Sequence, residues 1–352
     1  MIDSFAVFGN NADIMGKSFK KLFFLGMVRF DSRLPHNRGG KMKRVMVVLA
    51  ALGVVGALSG CTFLKVSLTP EIQPLEEQVI AGEGRDKVLV LDLSGMITSE
   101  RSSSSLSGTT EIGMVPLLRE ELDKARRDKT VKAVVLRINS PGGGVTASDV
   151  LYHEIKKFRQ ETGIAVIAHF MDAGASGAYY AALAADLITA QPTSVTGSIG
   201  VIMWRIDATG LMQKVGIQAL EIASGERKGM GSPFRPVTPE EMKIFKNVVD
   251  SIYERFVDLI VEERKLPRER VLQLADGRIF TSAEAKKEGL IDEVGYLEDA
   301  IGAARKQAHL TQARVVTYSR PGEFKDNIYS RFSLDLGRMM DPGVQFMYIW
   351  WP

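Results

Sequence analysis

The sequence predicts an α/β fold built around a mostly parallel sheet. Apolar runs of strand length, at residues 88–93 and 131–138, alternate with segments of helical periodicity at 111–127 and 147–160. Strands that alternate with helices are typical of parallel sheets with right-handed crossover connections. The chain has 352 residues, of which 45% are hydrophobic, and this is enough for a sizeable core.

Further elements continue the alternation toward the C-terminus. The longest helix is expected at residues 239–264, where apolar side chains recur at helical spacing and are interpreted as packing residues, within the body or between subunits. A Ser- and Gly-rich stretch at 98–110 predicts a loop. The remaining expectations are strands at 164–169, 187–190, 219–222 and near residue 318, a helix at 208–215, and the packing residues Met242, Phe245, Val248, Ile252 and Phe256.

Charge and cysteine content exclude several classes of protein. The formal net charge is +3, yet nine of the 45 Lys and Arg residues and only three of the 42 Asp and Glu residues lie in residues 1–44. The remainder is mildly acidic, so no nucleic-acid partner is indicated. The single cysteine excludes an intramolecular disulfide framework and a multi-cysteine metal site. No residue pattern predicts a metal or a cofactor.

Cys61 follows a segment typical of an export signal. Basic residues at 41–44 precede an apolar run at 45–58, and the sequence ends in Leu58-Ser-Gly-Cys61. This ending resembles a bacterial lipoprotein box, in which Cys61 is lipidated and becomes the mature N-terminus. The alternative is an uncleaved anchor that continues to residue 66, and a span needs about 20 apolar residues. Both interpretations anchor the protein to the membrane of a bacterial cell envelope, with its body outside the cytoplasm on the periplasmic side.

These features divide the chain into five parts. A basic and apolar leader is expected to begin close to its own initiator, so Met42 is the better start and the residues before it are interpreted as a mis-assigned or disordered extension. The apolar end of the chain is expected to dock on the body, on a neighbouring chain or on the membrane surface. The expected boundaries are 1–41 for the extension, 42–61 for the signal or anchor, 62–86 for a linker, 87–319 for the folded body and 320–352 for the tail.

Ser176 lies among small residues where a predicted strand passes into an Ala-rich helix start. Backbone N–H groups at a helix N-terminus favour negative charge, so binding of an oxyanion is one use of this position. A simple helix N-cap is the other. A Ser-His-Asp triad through His169 or His153 is an alternative source of a base, and Asp172 is expected to cap the helix.

Gly142, Gly143 and Gly144 follow a predicted strand and precede a predicted helix. They lack the Gly-Lys-Ser/Thr ending of a phosphate-binding loop and the spacing of a dinucleotide fingerprint. Exposed backbone N–H groups in such a run can form an oxyanion hole, in which each donor is worth roughly 3 kcal/mol in the transition state. A tight turn without catalytic function is the alternative.

Four motifs occur in order along the chain. They read Asn-Ser-Pro-Gly-Gly-Gly at 139–144, Gly-Ala-Ser-Gly-Ala-Tyr-Tyr at 174–180, Thr-Gly-Ser-Ile-Gly-Val at 196–201 and Ser-Gly-Glu-Arg-Lys-Gly-Met-Gly-Ser-Pro-Phe at 224–234. Together they closely resemble the signal peptide peptidase A family, bacterial serine proteases with a Clp protease/crotonase-like fold. The resemblance covers about residues 85–319. It implies layers of parallel β-sheet with crossover helices, and long C-terminal helices used in oligomerisation.

The resemblance also assigns roles to individual residues. The family's nucleophile falls on Ser176, its lysine general base and acid on Lys228, and the serine that orients this lysine on Ser198. Its oxyanion glycine falls on Gly143, and the N–H of Gly177 is expected to complete the oxyanion hole.

A lysine acts as a base only when it is neutral, although its reference pKa is about 10.4. Burial lowers the pKa of an amine by roughly 3–5 units, so Lys228 is expected to be buried when it takes the proton of Ser176. Members of the family often have Gly where this chain has Ala178, and this departure bears on the width of the pocket.

The resemblance further implies a membrane-anchored endopeptidase that cleaves leftover signal peptides and other extended, apolar peptides. The chain has one set of motifs and is therefore a half-length form. Family members form rings in which adjacent protomers share the Ser-Lys dyad, so a homo-oligomer, an octamer, is expected. Two alternatives are a crotonase-type enzyme that acts on acyl-thioesters and a catalytically silent scaffold of the envelope.

Overall fold

A nine-stranded sheet forms the centre of the protein in the computed structural model. All the described residues belong to one compact unit, Thr69–Pro352. Cys61 and the predicted extension and anchor lie outside them, so the expectations for those parts stay predictions. The residues that the structure describes are 73–99, 102–103, 110–321, 328 and 345–349.

The strands alternate with helices through most of the described chain, as the sequence predicts. In chain order, the strands are β1 (Glu76–Ala81), β2 (Lys87–Ser94), β3 (Ser102–Ser103), β4 (Thr110–Glu111), β5 (Val131–Ser140), β6 (Gly142–Gly144), β7 (Ala165–Ala175), β8 (Leu187–Ala190), β9 (Val195–Gly197), β10 (Ile202–Trp204), β11 (Ile279–Thr281), β12 (Glu293–Val294), β13 (Arg314–Ser319) and β14 (Gln345–Ile349). The helices are α1 (Met114–Arg127), α2 (Val145–Thr162), α3 (Gly177–Ala182), α4 (Thr209–Val215), α5 (Pro239–Arg264), α6 (Arg268–Leu274), α7 (Ser282–Lys287) and α8 (Leu297–Gln307).

The main sheet has the strand order β1-β13-β2-β5-β7-β8-β12, and β9 also pairs with the end of β7. Neighbouring strands from β13 to β12 in this order run parallel, and β9 runs parallel to β7. The two antiparallel pairs of this sheet are β1 with β13 and β11 with β9. A second sheet has the order β10-β14-β6. The predicted α/β class with a mostly parallel sheet is therefore confirmed.

The central strands β2, β5 and β7 are buried on both faces, which explains their nearly continuous runs of Val, Leu and Ile. Side chains alternate between the faces of a strand. One face of the sheet packs against α1, α2, α3 and α5, where the larger apolar core lies. The other face packs against α8 in a smaller core.

Helix α5 has the predicted bounds. Thr238 caps it, because its hydroxyl accepts a hydrogen bond from the Glu241 backbone N–H at 3.2 Å while the Glu241 carboxylate accepts one from the Thr238 N–H at 3.0 Å. Among the expected packing residues, Phe245 and Phe256 are buried, whereas Met242 is 52% exposed. The helix thus packs on the body through part of its apolar stripe only.

Two expectations differ from the structure. The strand expected at 219–222 is wrong, since this run has no strand partner and its side chains Leu220 and Ile222 are 88% and 91% exposed. A strand needs a neighbour to pair its backbone groups, and the described chain offers none there. Within residues 62–86, expected to be a linker, Glu76–Ala81 forms β1 and pairs with β13.

No helix among the described residues is long and apolar enough to cross a membrane. The same residues contain no group of three or more His, Cys, Asp or Glu side chains that could bind a metal ion.

Thr238→Ala removes the hydroxyl that caps α5. We expect the free energy of unfolding to fall by about 1 kcal/mol, because the Glu241 N–H loses its acceptor. Urea denaturation followed by circular dichroism measures this change. Thr238→Ser is the matched control, since serine caps as well as threonine does, and equal losses for both variants would contradict the capping role.

Candidate active site

Ser176 occupies a strained turn between β7 and α3. Its backbone has φ 54° and ψ −116°, a positive φ that is costly for a residue with a side chain. The turn is held on both sides: the Ser176 N–H donates to the Gly197 carbonyl at 2.8 Å, and the Ser176 carbonyl accepts from the Tyr180 N–H at 2.9 Å. The surrounding sheet and helix therefore impose this conformation.

The hydroxyl of Ser176 is buried and has no hydrogen-bond partner among the described residues. Ser176 is the N-cap residue of α3 by position, but its side chain makes no capping bond. The interpretation of Ser176 as a helix cap thus lacks the bond that defines such a cap. A buried hydroxyl without a partner is costly and is typical of a group whose partner is supplied by a substrate or another chain.

Strand β6 brings the glycine run against the residue that follows Ser176. A Cβ on Gly142, which has φ 103°, would lie 2.7 Å from the backbone nitrogen of Gly177. A Cβ on Gly143 would overlap the backbone of Ile97, whose N–H donates to the Gly142 carbonyl at 2.9 Å. The run is therefore a short strand and not a tight turn, and its glycines allow the close approach of backbones.

Ser198 lies next to Ser176 at the ends of two parallel strands. Strand β9 pairs with β7 so that Gly197 faces Ala175. Ser198 follows with φ 49°, is 8% exposed, and donates its N–H to the Arg278 carbonyl at 2.7 Å. The structure thus brings Ser176, Gly177 and Ser198 together with the glycine strand.

Lys228 is not part of this cluster within one chain. It is exposed in a turn between α4 and α5, where its backbone N–H donates to the Gly225 carbonyl at 3.0 Å. Among the described residues, no hydrogen bond joins its side chain to Ser176 or Ser198. The segment from β10 to the start of α5 also carries exposed apolar side chains: Trp204, Ile206, Leu211, Val215, Ile217, Leu220, Ile222 and Phe234.

The histidine alternative finds no support in the geometry. His169 is fully buried and its Nδ1 lies 2.7 Å from the Thr189 hydroxyl. Its neighbours in β7 show that it faces α8: Ile167 packs in the α8 core, whereas Ala168 and Phe170 pack in the larger core. Burial lowers the pKa of His169 to about 4.

His153 and Asp172 do not form a triad with Ser176 either. His153 is exposed on α2. Asp172 lies within β7 and accepts a hydrogen bond from the Asn139 amide at 2.9 Å, so the expected helix cap at this residue is wrong. The Asn139 side chain also accepts from the Ala173 N–H at 3.1 Å and thereby ties the ends of β5 and β7 together.

The sequence interpretation missed an aromatic cluster beside the site. Tyr180 follows Ser176 by one helical turn, and its ring lies 5.0 Å from that of Phe256 and 5.1 Å from that of Tyr348. The only signal in the sequence is the pair of tyrosines at 179–180, which belongs to the second of the four motifs. Ala178, expected to bear on pocket width, is buried in α3.

Comparisons with known proteins decide the family. Residues 158–311 match the model described as peptidase family S49. A protein of Enterococcus faecium assigned as signal peptide peptidase SppA is 35% identical over 243 residues, which cover 69% of this chain and 70% of that protein. This chain belongs to the signal peptide peptidase A family. By family it is a serine peptidase.

Two further proteins are similar to a large part of this chain. The chloroplastic serine protease SPPA of Arabidopsis thaliana is 35% identical over 251 residues, which cover 70% of this peptidase but 36% of that protein. A ClpP1 point mutant from Listeria monocytogenes has a TM-score of 0.39 at 18% identity, covering 60% of this chain and 94% of that chain.

A fluorophosphonate probe is expected to label the peptidase at Ser176, because its hydroxyl has no partner among the described residues and lies on a strained turn beside the glycine strand. Ser176→Ala should remove the labelling, read by gel fluorescence and peptide mass spectrometry. Ser194→Ala is the matched control, since Ser194 is equally buried and its hydroxyl also lacks a partner. Labelling that survives Ser176→Ala and is lost in Ser194→Ala would contradict the assignment.

His169 is expected to make the protein sensitive to acid without acting in catalysis. Its pKa is lowered from 6.5 to about 4 in the folded protein, so the unfolded chain binds more protons in this window. Stability is therefore fully present above pH 6.5 and falls as the pH drops toward 4, by roughly 3 kcal/mol for this pKa difference. His169→Gln should flatten this dependence in urea denaturation and keep the probe labelling at neutral pH. His153→Gln, at an exposed site, should leave the slope unchanged, and loss of labelling in His169→Gln would revive a histidine base.

Proposed function

We propose that this chain is a membrane-anchored, extracytoplasmic serine endopeptidase that uses Ser176 as nucleophile and Lys228 as general base. The observation that carries the proposal is the buried, unpartnered hydroxyl of Ser176 on a strained turn beside the glycine strand. The substrates proposed are signal peptides and other extended, apolar peptides, in line with the name of the Enterococcus faecium relative. Residues 42–61, with Cys61 as the lipidated or adjoining residue, are the proposed anchor on the periplasmic side of the envelope.

The reaction proceeds through an acyl-enzyme. The Ser176 oxygen attacks the peptide carbonyl while its proton passes to the Lys228 amine. The negative oxygen that forms is stabilised by the backbone N–H groups of Gly143 and Gly177. The intermediate then breaks its C–N bond, and the leaving amine takes the proton from Lys228. Water attacks the ester in a second cycle of the same proton transfers, which releases the acid and restores Ser176.

Lys228 is proposed to reach Ser176 from a second copy of the chain. A lysine base must be neutral, and burial favours the neutral amine, but Lys228 is exposed in the described chain. Apolar side chains of the same segment, such as Leu220 and Ile222, are exposed too. Large exposed apolar patches are typical of protein interfaces. Packing of this segment onto another copy buries the apolar side chains and the lysine together, in a ring for which we propose eight copies.

Ser198 is proposed to orient the lysine. It lies beside Ser176 through the β7–β9 pairing and is largely buried. A lysine side chain has four rotatable bonds and loses entropy when held. A hydroxyl acceptor next to the nucleophile reduces the number of positions open to the amine, so it acts as a positioning residue.

Hydrolysis of an apolar fluorogenic peptide by the full chain in detergent tests the dyad. Lys228→Ala is expected to lower kcat by about 10²- to 10⁴-fold, and Ser176→Ala, which removes the nucleophile, by about 10⁶-fold. Lys214→Ala, another exposed lysine on the same segment, is the matched control and should keep full activity. Full activity in Lys228→Ala, or turnover of acyl-thioesters in place of peptides, would overturn the proposal.

Mixing of the two inactive variants tests the shared site. When Ser176→Ala and Lys228→Ala chains are unfolded, mixed and refolded together, some interfaces pair an intact serine with an intact lysine. Activity recovered in the mixture, and in neither variant refolded alone, is the expected result. A mixture that forms oligomers but stays inactive would show that serine and lysine act within one chain.

A further inference from the structure

Lys228 lies on a segment of consecutive turns and bends, residues 224–235. Within this segment the Lys228 N–H donates to the Gly225 carbonyl at 3.0 Å, and the Ser232 N–H donates to the Gly229 carbonyl at 3.1 Å. Turns held only by such local bonds open readily. A general base that must meet a nucleophile needs a more fixed support, because its position decides the rate.

Arg235 fastens the end of this segment to helix α5. Its Nη1 donates to Oε2 of Glu241 at 3.0 Å, and its Nη2 donates to Oε1 of the same carboxylate at 2.5 Å. Glu241 is buried and also accepts the Thr238 N–H in the cap of α5. Arg235, followed by the Thr238 N–H, lowers the pKa of Glu241 to about 2, so this carboxylate is charged at neutral pH. A guanidinium that meets a carboxylate at two points fixes direction as well as distance.

The same guanidinium binds Glu221, which precedes Lys228 in the chain. Arg235 Nε donates to the Glu221 carboxylate at 3.2 Å. This carboxylate lies against the backbone of Gly229, where a Cβ would overlap it. The residue next to Lys228 is therefore covered by a side chain that Arg235 holds, and only glycine leaves room for this contact.

Arg205, the residue after β10, binds the backbone of the same segment. Its Nη2 donates to the Ser232 carbonyl at 2.8 Å and to the Arg235 carbonyl. Beside it, the Ala208 N–H donates to the Pro233 carbonyl at 2.8 Å. The Lys228 segment is thus bonded to the end of β10 on one side and to the start of α5 on the other. Arg235 takes part in both attachments, with its carbonyl in the first and its guanidinium in the second.

We propose that Arg235 is a positioning residue for the reaction, because it holds the segment that presents the Lys228 amine to the Ser176 hydroxyl. This inference rests on the proposed Ser-Lys mechanism and adds a residue that acts only through Lys228. A lysine side chain has four rotatable bonds, so its reach is defined only when its backbone is fixed. A misplacement of about 1 Å can lower a rate by about 10²-fold.

Arg235→Gln in the full chain, assayed in detergent with an apolar fluorogenic peptide, tests the kinetic consequence. We expect kcat to fall by about 10²-fold with KM unchanged, since the base is misplaced while the substrate contacts stay. Arg235→Lys should not restore kcat, because one ammonium cannot meet a carboxylate at two points. Arg268→Gln is the matched control and should keep full kcat, since Arg268 also binds two carboxylates, those of Glu254 and Asp258.

Hydrogen exchange of residues 224–235, followed by mass spectrometry, tests the support of the segment without catalysis. Exchange is expected to be about tenfold faster in Arg235→Gln than in the unchanged protein. Unaltered exchange would overturn the inference whether or not the dyad operates. Full kcat in Arg235→Gln beside an inactive Lys228→Ala would overturn the inference alone, whereas full activity in Lys228→Ala would overturn the proposed mechanism and this inference with it.

Mixed assemblies separate positioning of the lysine from a general effect on folding. Arg235→Gln is placed either in the Ser176→Ala chain, which supplies the lysine, or in the Lys228→Ala chain, which supplies the serine. The recovered activity is expected to fall by about 10²-fold in the first mixture only. Equal losses in both mixtures would show that Arg235 serves the fold of every chain, and this would overturn the inference. If the mixture without Arg235→Gln is inactive, serine and lysine act within one chain, and the kcat and exchange results decide.

Discussion

The contact between the glycine strand and the start of α3 is the constraint on which the site depends. Gly142 approaches the Gly177 nitrogen so closely that no side chain fits between them. Strand β7 ends there in a sharp turn. Ser176 lies in this turn with a positive φ, a strained backbone conformation for a residue with a side chain. Bonds from both sides of the turn, to Gly197 and Tyr180, hold it in place. Ser176 and the backbone N–H groups proposed to hold the oxyanion are therefore positioned by one arrangement of β5, β6, β7 and α3.

The residues proposed to act in catalysis lie in two different parts of the chain. The rigid part supplies Ser176 and the backbone N–H groups, whereas the segment with Lys228 has few buried side chains in the described chain. In the proposed mechanism, an isolated protomer has a nucleophile without a base, so activity depends on oligomerisation.

The sequence predicts the elements whose causes are local. Buried parallel strands show as continuous apolar runs, so residues 88–93 and 131–138 are identified within one or two residues of β2 and β5. Helix α5 is predicted within its observed bounds from the helical spacing of its apolar side chains alone. The strand expected at 219–222 fails for the opposite reason: an apolar run suits a strand or an interface equally, and only the presence of a pairing partner decides between them.

By itself, the sequence determines the α/β class, the family and the candidate nucleophile, because periodicity and ordered motifs are properties of neighbouring residues. Only the tertiary structure decides that Ser176 lacks a capping bond, that His169 faces α8, and that Tyr348 lies against Gly143. The last contact joins two segments far apart in the chain. The ring of Tyr348 packs against Tyr180 and Phe256, which come from separate helices. No local pattern encodes such a pairing, since it depends on which surfaces the folded sheet leaves open.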